Sequence, residues 1–337
     1  MSESDDTGDT PRAAATGQTG PRRRRTKVGI VGAGAVGATL AFAALMRGVA
    51  QTVALFDVNA AKVRAEALDL SHGIQFVPMA RVDGSDDIAV LADSDVVVFT
   101  AGAKQKPGQS RLDLAETTIG IVRSILPRLV EVAPDAVHVM VTNPVDVVTY
   151  AALQVSGLPP ERLFGSGTVL DSSRLRFLLA EHTGVAAQSV HAYVVGEHGD
   201  SELPLWSSAT IGSVPVLEWR SPGGATALDA QTRARIATDV VQSAYRVIEG
   251  KGATNYAIGL AATRIIEAVL NDERRILPVS SLLEDYLGIS DVCLSVPAIV
   301  HAGGVGDRVE VPMTDDELAG LRASAEAVRS TARRFGF

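Results

Sequence analysis

Cysteine is almost missing from this chain. Cys293 is the single one in 337 residues, which excludes an internal disulfide framework and any cysteine-held metal cluster. It fits a reducing compartment, and a cytoplasmic location is expected. Positive charge is also in short supply, with 31 Lys and Arg against 39 Asp and Glu and a formal net charge of -8. Such a surface repels phosphate backbones, so no nucleic-acid partner is expected. The six histidines show no ligand-type spacing, and no metal site is expected. Aromatics are few at 4%, and the remainder, 46% hydrophobic and 21% charged, is the composition of a soluble globular protein. The chain can bury a sizeable core, with about two domains by length.

A long apolar run is the one ambiguous feature. Val28 to Met46 carries no charge and follows Arg22-Arg23-Arg24-Arg25, the pattern of an export signal or a membrane span. Four glycines argue otherwise. Gly29, Gly32, Gly34 and Gly37 would weaken a single apolar helix by roughly 1 kcal/mol each, and they fall where a strand, a turn and a helix would use them. Neither export nor membrane insertion is expected. Residues 1–25 lack apolar periodicity and read as a disordered tail.

Lys27 to Val31 is a short apolar run, followed by Gly32-Ala33-Gly34-Ala35-Val36-Gly37 and an apolar helical stretch. This is G-x-G-x-x-G between a strand and a helix. Gly32 permits the tight turn, Gly34 lets the backbone approach a pyrophosphate, and Gly37 lets the helix pack closely on the strand. The free N–H groups of the helix start then face phosphate. A second strand, Thr52 to Phe56, ends at Asp57, 20 residues beyond Gly37. An acid there accepts hydrogen bonds from the adenosine ribose and repels a 2′-phosphate, which favours NAD over NADP. The competing role for Asp57 is a helix cap.

The alternation continues through Asp95–Phe99, Leu112–Val132, Val137–Val141 and Val145–Gln154. Strands alternating with helices imply an α/β fold: a Rossmann-type, doubly wound parallel sheet with its ligand outside the strand carboxyl ends. Thr100-Ala101-Gly102-Ala103 and Thr142-Asn143-Pro144 both follow strands directly and belong to that edge. Past residue 155 the rhythm fades, and a mixed α+β substrate domain is expected. The expected division is a tail at 1–25, an NAD-binding domain at 26–168 and a catalytic domain at 169–337.

Polar clusters then appear in apolar surroundings. Leu170-Asp171-Ser172-Ser173-Arg174 reads as a helical turn with Asp171 and Arg174 on one face. Gly196-Glu197-His198-Gly199-Asp200 places a histidine in a glycine-flanked turn. These segments, together with residues 32–37, Ala-Gly-Ala-Lys-Gln-Lys-Pro-Gly-Gln-Ser-Arg (101–111) and Val-Thr-Asn-Pro-Val-Asp (141–146), resemble the lactate/malate dehydrogenase family, on its L-lactate side and of the bacterial allosteric type. The similarity runs from about Lys27 to the C-terminal helix.

The resemblance implies roles that the chemistry can carry. Reduction of a 2-keto acid needs a hydride at the carbonyl carbon and a proton at the oxygen. His198 would move the proton, and Asp171 would fix its tautomer and favour the imidazolium. Arg174 would grip the substrate carboxylate with two prongs. Arg111 would polarise the ketone, and Asn143 would add a hydrogen bond. Lys104 to Arg111 has the composition of a lid that closes over substrate, with Gln109 where many relatives carry an acid. The cofactor would be lined by Gly32, Gly34, Val36, Gly37, Asp57, Lys62, Gly102, Ala103, Ser124, Val141, Thr142, Asn143 and Ser166.

Gln105 bears on the substrate. Malate dehydrogenases carry an arginine at the matching position, and a neutral glutamine leaves the second carboxylate of oxaloacetate desolvated without a counter-charge. Thr254 matches a position that limits side-chain bulk. Pyruvate and lactate are therefore expected, with malate or another L-2-hydroxyacid as the alternative. A non-enzymatic NAD-binding scaffold is the alternative of another class, and it would be expected to have lost some of Asp171, Arg174, His198 and Arg111. Arg176 and His191 match positions that bind fructose 1,6-bisphosphate on a twofold axis in allosteric relatives, which implies an activated homotetramer.

Overall fold

The computed structural model describes residues 26–103, 111–220 and 228–337, with the side chains of residues 111–113 outside the description. The tail at 1–25, Gln105, Gln109 and the rest of the expected lid to residue 110 lie outside the described residues.

The first half keeps the expected alternation and adds one helix and two strands that the sequence reading did not place, α2, β3 and β6. Strand β1 (Lys27–Val31) runs into helix α1 (Ala35–Arg47), then β2 (Thr52–Phe56), α2 (Ala60–His72) and β3 (Arg81–Ser85). Next come β4 (Val96–Phe99), α3 (Arg111–Val132), β5 (Val137–Met140), α4 (Val145–Ser156) and β6 (Leu163–Gly165). These six strands are parallel in the order β6-β5-β4-β1-β2-β3, the doubly wound order that reverses between β1 and β4. Strands buried on both faces need apolar residues at every position. Accordingly Val28 and Ile30 of β1, with Val96 and Val98 of β4, enter one core, while Val31, Val97 and Phe99 enter the other.

The second half opens with α5 (Val169–Thr183), followed by the short strands β7 (Val190–His191), β8 (Val194–Val195), β9 (Leu203–Pro204), β10 (Thr210–Ile211) and β11 (Val214–Pro215). Then come α6 (Ala230–Lys251), α7 (Tyr256–Leu270), β12 (Arg275–Leu283), β13 (Val292–His301), β14 (Gly304–Arg308) and α8 (Asp315–Arg334). One arrangement goes beyond the sequence reading. Strands β12 to β14 do not form a sheet of their own: β12 pairs antiparallel with β6, making one nine-stranded sheet. Helices α4 and α8 pack on one face of this extension and α7 on the other. A third core lies apart, between α5, α6 and the three-stranded sheet β11-β10-β7.

Helix ends follow their local chemistry. Helices α1, α4, α5 and α6 each stop at a glycine in the left-handed region, namely Gly48, Gly157, Gly184 and Gly252. Helix α8 starts with a capping box between Thr314 and Glu317. Among the described residues, no helix is long and apolar enough to cross a membrane.

Candidate active site

The site forms where the carboxyl ends of the parallel strands meet α5 and the turn after β8. At the first strand end, Gly32 takes φ +99, and a Cβ there would lie 2.8 Å from the Ala101 backbone nitrogen. A Cβ on Gly37 would lie 1.9 Å from the Gly32 carbonyl oxygen, so α1 can start this close to β1 only with glycine. Gly34 differs: a Cβ there would meet no atom within 4 Å. The space above the turn is open, and no side chain caps α1. The Thr100 hydroxyl, from the end of β4, donates to the carbonyls of Val31 and Gly32 at 2.9 and 3.0 Å. Gly102 sits so near Thr142 that a Cβ would be 2.0 Å from its Oγ1.

Asp57 is not the cap of α2, which is Asn59. Its Oδ2 accepts from the Ala33 amide at 2.8 Å, and its Oδ1 from the Asn59 amide at 2.9 Å. The end of β2 is thereby tied to the glycine turn, with the acid beside the open space. An uncapped helix start, an open approach over Gly34 and a carboxylate at the neighbouring strand end make a donor and acceptor set that fits a dinucleotide.

Around that space, Val36 and Ala103 are half-buried, Gly102 and Asn143 exposed, and Val141 and Thr142 buried. Asn143 precedes Pro144, the N-cap of α4, across a cis peptide. Ser166 is buried after β6, and its amide donates to Met140 O at 2.8 Å. Lys62 is exposed on α2, where its amide is capped by Asn59 at 3.1 Å. Ser124 is exposed on α3 and bonds back to the Ile121 carbonyl at 2.8 Å. Thr254 is half-buried just before α7. Arg111 is the first residue of α3.

The polar clusters of the second half are brought together. Asp171 lies in the first turn of α5 and is fully buried. Its Oδ2 lies 2.6 Å from His198 Nδ1, and its Oδ1 accepts from Arg174 Nη1 at 2.5 Å. Arg174 reaches the same carboxylate because it lies three residues on, on the same helix face. The turn that carries His198 is placed by the backbone around it. The Thr168 hydroxyl donates to Val194 O at 2.6 Å, and the Val194 amide donates to Ser172 Oγ at 2.9 Å, which docks β8 on the start of α5. Gly196 then turns the chain with φ +94, its Cα so near Ser324 that a Cβ would lie 2.8 Å from Oγ.

This geometry sets the protonation states. Burial disfavours the imidazolium, but the charge and hydrogen bond of Asp171 overcome it, and His198 is pushed up to about 9. Burial likewise opposes the Asp171 anion, and His198 and then Arg174 reverse that, holding the carboxyl below its usual range. At neutral pH the site therefore holds a charged imidazole with its Nδ1–H on a carboxylate, leaving Nε2–H as a proton donor.

Two acids escaped the sequence reading. Glu202 is half-buried near the pair; burial and then the Asp171 charge push it up to about 8. Ligand-type atoms of Asp171, His198 and Glu202 lie within 4.8 Å of one another. The Asp171–His198 bond occupies that cluster. Asp146, in the first turn of α4, is 1% exposed, and its Oδ2 accepts from the His198 backbone amide at 2.7 Å. It stands inside the 141–146 motif, but only the fold reveals its partner. Ser324 of α8, with no sequence signal at all, accepts from the Glu197 amide at 2.8 Å.

Arg176 and His191 line one groove of about 400 Å³ together with Arg264 and Arg275. Arg176 Nε donates to Ala192 O at 3.0 Å, and its guanidinium lies 5.5 Å from the Tyr193 ring centre. His191 is exposed.

Comparison with known proteins agrees with this geometry. Residues 26–165 match the lactate/malate dehydrogenase NAD-binding domain, and residues 168–334 match the alpha/beta C-terminal domain of the same family. The chain is an NAD-dependent oxidoreductase and belongs to the lactate/malate dehydrogenase family. It is 58% identical to the L-lactate dehydrogenase of Bifidobacterium animalis subsp. lactis, over 93% of this chain and 98% of that one. It is 42% identical to the L-lactate dehydrogenase of a Thermoanaerobacter species, over 90% and 97% of the two chains. A crystal structure of the minor L-lactate dehydrogenase of Enterococcus mundtii superposes with a TM-score of 0.88 at 38% identity, covering 92% and 98%.

Proposed function

We propose that this chain is an L-lactate dehydrogenase, reducing pyruvate to (S)-lactate reversibly with NADH. The observation that carries the reading is the sharing of one buried carboxylate, Asp171, by His198 and Arg174. That arrangement puts a proton donor and a carboxylate receptor on one rigid support, as a 2-keto acid requires at adjacent carbons. His198 delivers its Nε2 proton to the ketone oxygen, while the remaining guanidinium N–H groups of Arg174 receive the carboxylate. Arg111 polarises the carbonyl, Asn143 adds a hydrogen bond, and Gln105 and Thr254 bound the substrate side chain. NADH, when bound, supplies the hydride. Its lining is Gly32, Gly34, Val36, Gly37, Asp57, Lys62, Gly102, Ala103, Ser124, Val141, Thr142, Asn143 and Ser166.

The same reading takes residues 26–168 as the cofactor domain and 169–337 as the catalytic domain. It places the enzyme in the cytoplasm as a homotetramer activated by fructose 1,6-bisphosphate. The groove that Arg176 and His191 line supports the effector, since both side chains suit a phosphate group, while Arg264 and Arg275 beside them are paired with Glu267 and Glu273.

The test is NADH oxidation with pyruvate and with oxaloacetate, each with and without fructose 1,6-bisphosphate. Oxaloacetate is expected to give a kcat/KM lower by about a hundredfold or more, since its second carboxylate finds no counter-charge at Gln105. Equal values for the two substrates reject the substrate assignment, and a pyruvate curve unmoved by effector rejects the regulation.

A further inference from the structure

Three acids stand in or beside the turn that carries His198, and they are not held alike. Glu197 Oε2 accepts from the Ser201 hydroxyl at 2.5 Å, and Asp200 Oδ1 accepts from the Tyr245 hydroxyl of α6 at 2.7 Å. Glu202, the residue before β9, is held less well: its Oε1 is enclosed without a hydrogen-bond partner among the described residues. Its carboxyl points inward all the same, with an oxygen within 4.8 Å of both the Asp171 carboxylate and the His198 ring. The proton transfer described above makes no use of it.

An ionised carboxylate enclosed with few donors is costly, and a neutral acid is the usual resolution. Here a neighbouring negative charge adds to the cost. The charged groups facing Glu202 are Asp171 and Arg174 of α5 and His198 of its own turn, with the Gly199 amide beside them. Burial and then Asp171 oppose the Glu202 anion more than His198, Arg174 and that amide favour it, so the carboxyl is pushed up to about 8. At neutral pH Asp171 is therefore the one anion among these four side chains, against the two cations His198 and Arg174. The surplus positive charge suits a 2-keto acid, itself a monoanion. An ionised Glu202 would draw on the same His198 and Arg174 that this substrate needs.

We propose that Glu202 is a charge gate for the substrate: as a neutral acid it leaves one anion's place open at His198 and Arg174, and as an anion it closes that place. The inference rests on the reading of His198 and Arg174 as the receptors of a 2-keto acid. The linkage is reciprocal. A bound substrate anion disfavours the Glu202 anion, so the complex takes up a proton where the free enzyme has lost one. The gate is open at neutral pH and closes as pH rises through about 8. Glu202 therefore acts on KM, whereas His198, which loses its own proton at about 9, acts on proton delivery as well.

The experiment follows proton uptake when oxamate, a keto-acid isostere that cannot be reduced, binds the full-length NADH-loaded enzyme in weakly buffered solution. Glu202→Gln serves as the permanently neutral side chain. At pH 8 the wild type should take up about half a proton through Glu202, and the variant about a tenth, the share left to His198. Between pH 7 and 9 the KM for pyruvate should rise about five- to tenfold more in the wild type than in the variant. Equal uptake in the two proteins, or an equal rise in KM, would overturn the gate. Should the variant not fold, the wild-type uptake decides: about half a proton at pH 8 sustains the gate, and about a tenth or less refutes it. Oxamate that fails to bind at any pH from 6 to 9 rejects the 2-keto acid reading itself. Oxamate that binds without the uptake rejects the role of Glu202 alone.

Discussion

His198 and Arg174 are held by the two oxygens of a single carboxylate, at 2.6 Å from His198 Nδ1 and 2.5 Å from Arg174 Nη1. The proposed proton donor, His198, and the proposed substrate anchor, Arg174, therefore cannot shift independently, because both take their position from Asp171. Its place in the first turn of α5 gives this support the rigidity of a helix.

Replacing that carboxylate should uncouple the two. In Asp171→Asn, His198 loses the charge and the charged hydrogen bond that overcome its burial and keeps only the weaker support of Glu202 and Asp146, so the imidazole drops from about 9 toward its ordinary 6.5. The His198 part of the alkaline limb of kcat/KM for reduction should move down by about two pH units, with about a hundredfold loss at pH 7.5. The linked stability has a definite sign: raised above its unfolded value, His198 contributes fully below pH 6.5 and loses its contribution as pH rises through about 9. The wild-type chain should therefore lose more stability than the variant between pH 7 and 10 in urea titrations. An alkaline limb at the same pH in both proteins would contradict this account.

Gly34 and Gly37 should fail differently. A Cβ at Gly37 meets the Gly32 carbonyl at 1.9 Å, whereas one at Gly34 meets no protein atom within 4 Å, and Gly34 already has φ -76. Gly37→Ala is expected to lower Tm and NADH affinity together. Gly34→Ala should keep the wild-type Tm and weaken NADH about tenfold or more, because only the approaching pyrophosphate meets the methyl group. Paired melting curves and fluorescence titrations check this, and a large drop in Tm for Gly34→Ala would count against it.

His138, in β5, is a source of acid lability. It is 1% exposed, and burial and then Arg162 push it down to about 4, with the Ala133 backbone offsetting only part of that. A base depressed on folding stabilises the native state above its unfolded value of 6.5 and destabilises it as pH falls toward 4. His138→Phe should remove that term, so the difference in unfolding free energy moves in the variant's favour by about 2.5 kcal/mol between pH 7.5 and 4.5. A difference independent of pH would show that the imidazole titrates normally.

Most of the first half of the fold was legible because its physics is local, though the polar edge strand β3 and the three-residue β6 were not. Parallel strands buried on both faces write themselves as unbroken apolar runs, and the glycines of residues 32–37 stand in the order the turn requires. In the second half β7 to β11 are two residues each, too short to show a period. The joining of β12 to β6 rests on Ser280 meeting Gly165, a pairing with no local signal. The site divides in the same way. Asp171 and Arg174 stand on one helix face by their spacing and His198 in a glycine-flanked turn, and the family resemblance singled them out. Asp146 is hidden because its partner is a backbone amide 52 residues away, and Glu202 reads as an ordinary surface acid until the fold encloses it.

The merged sheet has an implication for taking this molecule apart. With β12 hydrogen-bonded beside β6, the cofactor-binding strands have no free border on that side, since β12 to β14 cover it. A fragment ending near residue 168 would leave the bare amides and carbonyls of β6 as a sticky margin for a second copy of itself. It would also uncover the apolar side of α4, which β13 and α8 normally shield. Expressed alone, the nucleotide half should self-associate; the later strands are its solubilising hem.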